Sequence, residues 1–249
     1  MSVRQEVRDR ILVVHIEREA KRNAIDVETA LGIDAALNRL DDDPELWVGV
    51  LTGTRTVFSA GTDLKDGLDF RTERGGEYGV IRRRRVKPLV AAVEGVAFGG
   101  GFEIALACDL VVASAGARFA LPETLRGLVP TSGALFRVIR ALPLHVAKEL
   151  LITGAELSAE QARQFGFVNR VTEAGQALEG ALAVAEEICA SSPVAVRAVL
   201  DAVAAQLADD DRRGWEETAR AMETIRGSAD SREGIAAFFE RREPRWTGR

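Results

Sequence analysis

The chain has 249 residues, 47% of them hydrophobic and 29% charged, with a formal net charge of -5. That is enough apolar material for one large core, and it excludes a disordered chain. The acidic balance opposes a nucleic-acid surface, and the run Arg82-Arg83-Arg84-Arg85, which reads as a solvated helix face, is too short to reverse it.

At the amino end, MSVRQEVRDR is charged and has no apolar signal segment, and no apolar run reaches the ~20 residues that span a membrane. The expectation is a cytoplasmic protein with neither membrane nor nucleic-acid partners. ILVVHI at 11–16 reads as a strand, VETALGIDAALNRL at 27–40 as an amphipathic helix, and WVGVLTG at 47–53 as a buried strand. PLVAAVEG at 88–95 is a further strand. GFEIALACDL, which follows, is apolar nearly all round and so marks a buried helix. VVASA and ARFAL read as short strands, with Pro122 as the break. From about residue 132 helix follows helix, through SAEQARQF, ALEGALAVAEEICA, VAVRAVLDAVAAQLA and REGIAAFFERR. The predicted class is α/β, with a core over 1–190 and a helical region over 191–249.

Several chemistries fall away by inventory. His15 and His145 have no partners at zinc-ligand spacing, so no metal is expected, and Cys108 and Cys189 sit in apolar helical patterns. There is no GxSxG elbow and no GxxxxGK[ST] loop. A dinucleotide site is opposed by the glycine spacing, which runs G-x-x-x-G-G-G from Gly95. The acid that would bind ribose is also missing: Glu123 stands near that position but lies in a Leu-Pro-Glu turn.

The stretch AFGGGFE at 97–103 sets three glycines and a carboxylate between apolar runs. If Gly100 opens the helix, its N–H is an unpaired donor at the positive end of the helix dipole, which suits a developing oxyanion. Glu103 then lies one turn further along nearly the same face. A plainer reading is that the glycines allow close strand–helix packing and that Glu103 caps its own first turn. A second donor is available in VFSAGTDL, where the Ala60-Gly61 turn leaves the Thr62 N–H free at a strand end.

FSAGTDLK, VKPLVAAVEGVAFGGGFEIALACDLVVAS and ARFALPETLRGLVP together resemble the core motifs of the crotonase (enoyl-CoA hydratase/isomerase) superfamily, from about Asn23 to the carboxyl end. The resemblance implies a spiral of ββα turns acting on acyl-CoA thioesters, with no cofactor beyond the CoA of the substrate. It assigns 191–249 to trimerisation, giving a homotrimer or a dimer of trimers. By the same resemblance the backbone N–H groups of Thr62 and Gly100 form the oxyanion hole.

Glu103 and Glu123 match the two glutamates of members that hydrate enoyl-CoA, which points to addition of water across the 2,3 double bond. The match assigns Glu123 to C2 and Glu103 to the water. Double-bond isomerisation and a catalytically idle scaffold are the alternatives from other classes. For the substrate, Lys65 matches a lysine near the CoA phosphates, and Lys21 to Ala24 matches the segment passing the CoA head; either cation also reads as plain surface charge. Ala60, Asp63, Leu64, Phe98 and Gly99 complete the matched binding segments. Pro130-Thr131-Ser132-Gly133-Ala134 stands where hydratases often carry Pro-Gly-Ala-Gly-Gly, which places Pro130, Thr131 and Gly133 beside the acyl group. Phe98, Phe102, Leu135 and Phe136 add bulk there and suggest short or medium acyl chains. The FALPE stretch and the EPRWTGR ending are similar to crotonobetainyl-CoA hydratases (carnitinyl-CoA dehydratases), although no motif for a trimethylammonium group is visible.

Overall fold

The protein is described by a computed structural model covering residues 2–63 and 70–249. The first sheet takes, in spatial order, β1 (Val3–Arg8), β2 (Ile11–Ile16), β3 (Val48–Thr52), β5 (Leu89–Val93), β7 (Leu110–Ser114) and β10 (Arg170–Thr172). Only β1 and β2 are antiparallel; every other pair is parallel. The second sheet takes β4 (Val57–Ser59), β6 (Val96–Phe98), β8 (Arg118–Ala120) and β9 (Glu156–Ser158), with β9 antiparallel to β8. Three successive pairs, β3–β4, β5–β6 and β7–β8, each place one strand in each sheet. This is the spiral that the motif resemblance implies.

The helices are α1 (Val27–Asp42), α2 (Gly100–Ala107), α3 (Ala134–Ala141), α4 (Leu144–Thr153), α5 (Ala159–Gln164), α6 (Ala177–Cys189), α7 (Pro193–Arg226) and α8 (Ala229–Glu240). α1 starts where Asp26 accepts the Thr29 N–H, and α5 where Ser158 and Gln161 form a capping box. All six residues of β2 are buried, because α1 covers one face of the sheet and α6 the other. Val13, Val48, Val50, Val90 and Val112 pack under Ala181 and Ala185 of α6. On the far side Phe102, Phe119 and Phe167 stack with centroids 5.2 to 5.3 Å apart.

The structure departs from the sequence reading in several places. GFEIALACDL is divided, because α2 stops at Ala107 and Leu110 opens β7. α7 runs for 34 residues, far beyond the 194–208 segment. The four arginines are not a helix face. Arg82 bonds Glu77 at 2.9 Å and lies over the Trp215 ring at 3.6 Å; Arg83 is buried between Asp34 at 2.6 Å and Asp41 at 2.8 Å. Arg85 pairs with Asp109 at 2.6 Å, and Arg84 is exposed, 3.7 Å from Asp201. Their fork geometry satisfies several acceptors at once and fixes the loop before them against α1.

Candidate active site

Each glycine of the triplet is bare for its own reason. Gly99 has φ +53°, a left-handed conformation, and a Cβ there would lie 3.0 Å from Glu123 Oε1. Gly100 is the first residue of α2, and a Cβ there would lie 2.6 Å from the Tyr78 Cζ. At Gly101 a Cβ would run into the backbone carbonyl of Ser59 in β4. The packing explanation therefore holds for Gly101, whereas at Gly99 and Gly100 the neighbours are the Glu123 and Tyr78 side chains.

The Thr62 turn is set by a parallel bridge. Ile25 N–H donates to Gly61 at 2.8 Å and Asp63 N–H to Ile25 at 2.9 Å, so the Thr62 N–H between them faces the other way. Neither it nor the Gly100 N–H finds an acceptor among the described residues. The two segments touch: a Cβ on Gly61 would lie 2.8 Å from Gly100 N. Buried Asn23 and the ion pair of Arg18 with Asp63 at 2.8 Å hold the turn from behind.

Glu103 does not cap its own helix. Its Oε1 accepts the N–H of Ser132 at 2.7 Å and of Ala134 at 3.0 Å, and so caps α3, whose N-cap Gly133 has no side chain to offer. Gly133, expected beside the acyl group, is instead the left-handed residue, φ +102°, that turns these two amides onto Glu103, and it does not line the cavity. Glu123 follows Pro122 at the head of the short 3-10 turn Thr124–Arg126, and its Oε2 is buried without a hydrogen-bond partner.

Burial raises both carboxyls above the ordinary carboxylate range, by unlike balances. The two backbone donors pull Glu103 part of the way back down. Glu123 has only one such backbone contribution and is pushed further up by the negative charge of Glu103. Both carboxyls are thus held above the ordinary range, and as neighbours they release their protons as a pair.

These groups open on one cavity of about 580 Å³. Of the residues predicted from sequence, Lys21, Ala24, Ala60, Thr62, Asp63, Phe98, Gly99, Gly100, Glu103, Glu123, Pro130 and Thr131 all line it. Leu64 and Lys65 lie outside the described residues. Phe102 and Phe136 do not form its edge: Phe102 is in the aromatic core, and Phe136 stacks on Trp215 with centroids 5.0 Å apart.

The sequence reading missed three contributions. Tyr78 enters from the loop before the arginines, and Arg126 lies over the Phe238 ring at 4.8 Å. The helical tail also folds back, so that Ile225, Ile235, Phe238 and Phe239 wall the cavity, in a region read only as an assembly segment. The sequence offers one signal for this, a Phe-Phe pair on a helix whose opposite face is charged.

A model of the enoyl-CoA hydratase/isomerase family matches residues 6–249. The chain is 37% identical over 254 residues to a mevalonyl-coenzyme A hydratase of Aspergillus fumigatus, covering 95% of this chain and 91% of that protein. It is 38% identical over 250 residues to a carnitinyl-CoA dehydratase of Salmonella typhimurium, covering 96% and 95%. Among solved structures it is similar to a carnitinyl-CoA hydratase from Mycobacterium avium, with a TM-score of 0.93 at 36% identity over 100% of this chain and 99% of the other. An enoyl-CoA hydratase from Mycobacterium tuberculosis gives 0.80 at 41% identity with the same coverage.

Proposed function

The chain belongs to the enoyl-CoA hydratase/isomerase family, and on that premise we propose that it adds water reversibly across the 2,3 double bond of an enoyl-CoA thioester. The observation that carries this reading is the unlike setting of two carboxyls on one cavity, Glu103 held by two amides and Glu123 without a partner for one oxygen. An isomerase needs one group to move a proton between carbons. A hydratase needs a base for water and an acid for carbon, and the two environments separate those roles.

In this mechanism the Thr62 and Gly100 N–H groups bind the thioester oxygen and stabilise the charge that gathers on it, a term of about 3–4 kcal/mol per donor. Ionised Glu103 takes a proton from water as the water oxygen bonds C3. The π electrons move onto the thioester, and the enolate collapses as protonated Glu123 delivers its proton to C2. The carboxyls exchange protonation states, and dehydration runs the same steps backward. CoA enters as part of the substrate, its head passing Lys21 and Ala24.

A carnitinyl-type substrate is the second reading, favoured by the names of the relatives. The cavity lining carries both signs, Arg126 and Arg226 as well as Asp63, Glu103 and Glu123, so charge alone does not choose between the two readings. The test is a screen of purified protein against crotonyl-CoA, longer enoyl-CoA thioesters and crotonobetainyl-CoA, followed at the absorbance of the conjugated thioester. Loss of that absorbance with crotonyl-CoA supports the reading; turnover of crotonobetainyl-CoA alone replaces it with the second.

A further inference from the structure

Tyr78 is the only tyrosine of the chain, and its backbone has φ +55°, a left-handed conformation uncommon for a bulky residue. Such geometry persists only where its surroundings enforce it. Here they do: Arg71 and Arg82 hold Glu77 at 2.9 Å each, and a Cβ on the following Gly79 would lie 2.7 Å from the Asp34 backbone N in α1. The result is a phenol thrust into the cavity, its hydroxyl 2.7 Å from Thr62 Oγ1 and its ring against the Cα of Gly100.

Tyr78 thus touches both residues whose N–H groups would bind the thioester oxygen, and it lines the same cavity as Glu103 and Glu123. In the proposed reaction the substrate atoms between that oxygen and the two carboxyls are C2 and C3 of the acyl group. With the Thr62 hydroxyl donating to the phenol oxygen, the phenol keeps its one proton to give, and the acceptor that hydration creates in this space is the oxygen on C3. We infer that Tyr78 recognises that oxygen directly, so that the site binds 3-hydroxyacyl thioesters in preference to their 3-deoxy counterparts. This rests on the acyl-thioester reading above and adds to it a specificity residue that the two glutamates do not require.

The test compares binding of 3-hydroxybutyryl-CoA and butyryl-CoA to two proteins in which turnover is suppressed, Glu123→Gln and Glu123→Gln/Tyr78→Phe. A neutral hydrogen bond is worth about 0.5–1.5 kcal/mol, a factor of roughly 2–12. The single variant is expected to prefer the hydroxylated ligand by about that factor. The double variant, in which Glu103 still meets that oxygen, should lose most of the preference with unchanged affinity for butyryl-CoA.

An undiminished preference in the double variant overturns the inference, as does equal weakening of both ligands, which would make Tyr78 only a brace for Thr62. Failure of the single variant to bind either thioester would instead overturn the acyl-thioester reading. A second measurement needs no change at Tyr78. Ring-labelled tyrosine gives one 13C resonance for the phenolic carbon, and that resonance should move with 3-hydroxybutyryl-CoA and stay with butyryl-CoA. Equal movement with both would count against the contact.

Discussion

Glu103 Oε1 accepts the Ser132 amide at 2.7 Å, so a carboxyl carried by one helix caps the next. The contact joins base strength to fold, because the two amides that hold the Glu103 charge also open α3. It sets the expected pH dependence. In the proposed mechanism Glu103 works ionised and Glu123 protonated, so hydration should rise with pH through the lower of the pair's two raised titrations and fall through the upper one. The residual activity of Glu103→Gln should lack the acid limb, and that of Glu123→Gln the alkaline limb. Exchanged limbs in the two profiles would reverse the assignment.

Glu123 should also cost stability. Its folded pKa lies above the unfolded value, so the folded state binds the extra proton and stability falls as pH rises from the unfolded carboxylate pKa through the folded one. Gln at 123 cannot ionise. The melting temperature of Glu123→Gln should therefore stay close to that of the natural protein near pH 4, and exceed it increasingly toward pH 9. A constant offset across that range would remove the proposed cause.

The glycines predict separate failures. Gly101→Ala meets backbone at Ser59 and should cost about 1–3 kcal/mol, the usual range for overpacking, in a denaturant titration. Gly100→Ala meets the Tyr78 side chain, which can rotate. That variant should fold nearly normally and lose affinity for saturated acyl-CoA, as read by calorimetry. Equal loss of stability in both variants would merge the two roles.

The first half of α7 is almost unburied, with Val199, Val203 and Leu207 exposed at helical spacing along one face. We propose that this face joins copies of the chain into a trimer. Sedimentation should give a trimer or hexamer, and Val199→Asp/Val203→Asp a smaller species. A monomeric natural protein at micromolar concentration would contradict this.

What the sequence reveals depends on how local the cause is. β2, β3 and β5 are legible because both faces are covered, which leaves unbroken apolar runs. β4, β6 and β9 have three residues each, too few for a period to emerge. Gly100 and Glu103 stand out because their types are improbable where they sit, and Thr62 through the Ala60-Gly61 turn and the motif around it. Tyr78 carries no such mark: its place follows from Arg71 and Arg82 on Glu77, and from Arg83 on Asp34 and Asp41, which lie 49 and 42 residues from that arginine in sequence. The altered loop after Pro130 is legible in place more than in role: Pro130 and Thr131 line the cavity as expected, while the loop's contribution to Glu103 is made by two backbone amides.

The central claim is that Glu103 and Glu123 act as one acid–base pair on a thioester held at Thr62 and Gly100. The most direct measurement is crotonyl-CoA hydration by the natural protein, Glu103→Gln, Glu123→Gln and the double variant, beside calorimetric binding of butyryl-CoA to each. Each single change should lower turnover by a factor on the order of 10²–10⁴ while butyryl-CoA binding is kept. The double change should lose far less than the product of the two, as expected of groups that act together. Near-normal hydration by folded Glu103→Gln would contradict the account and leave Glu123 to act alone, as an isomerase would use it.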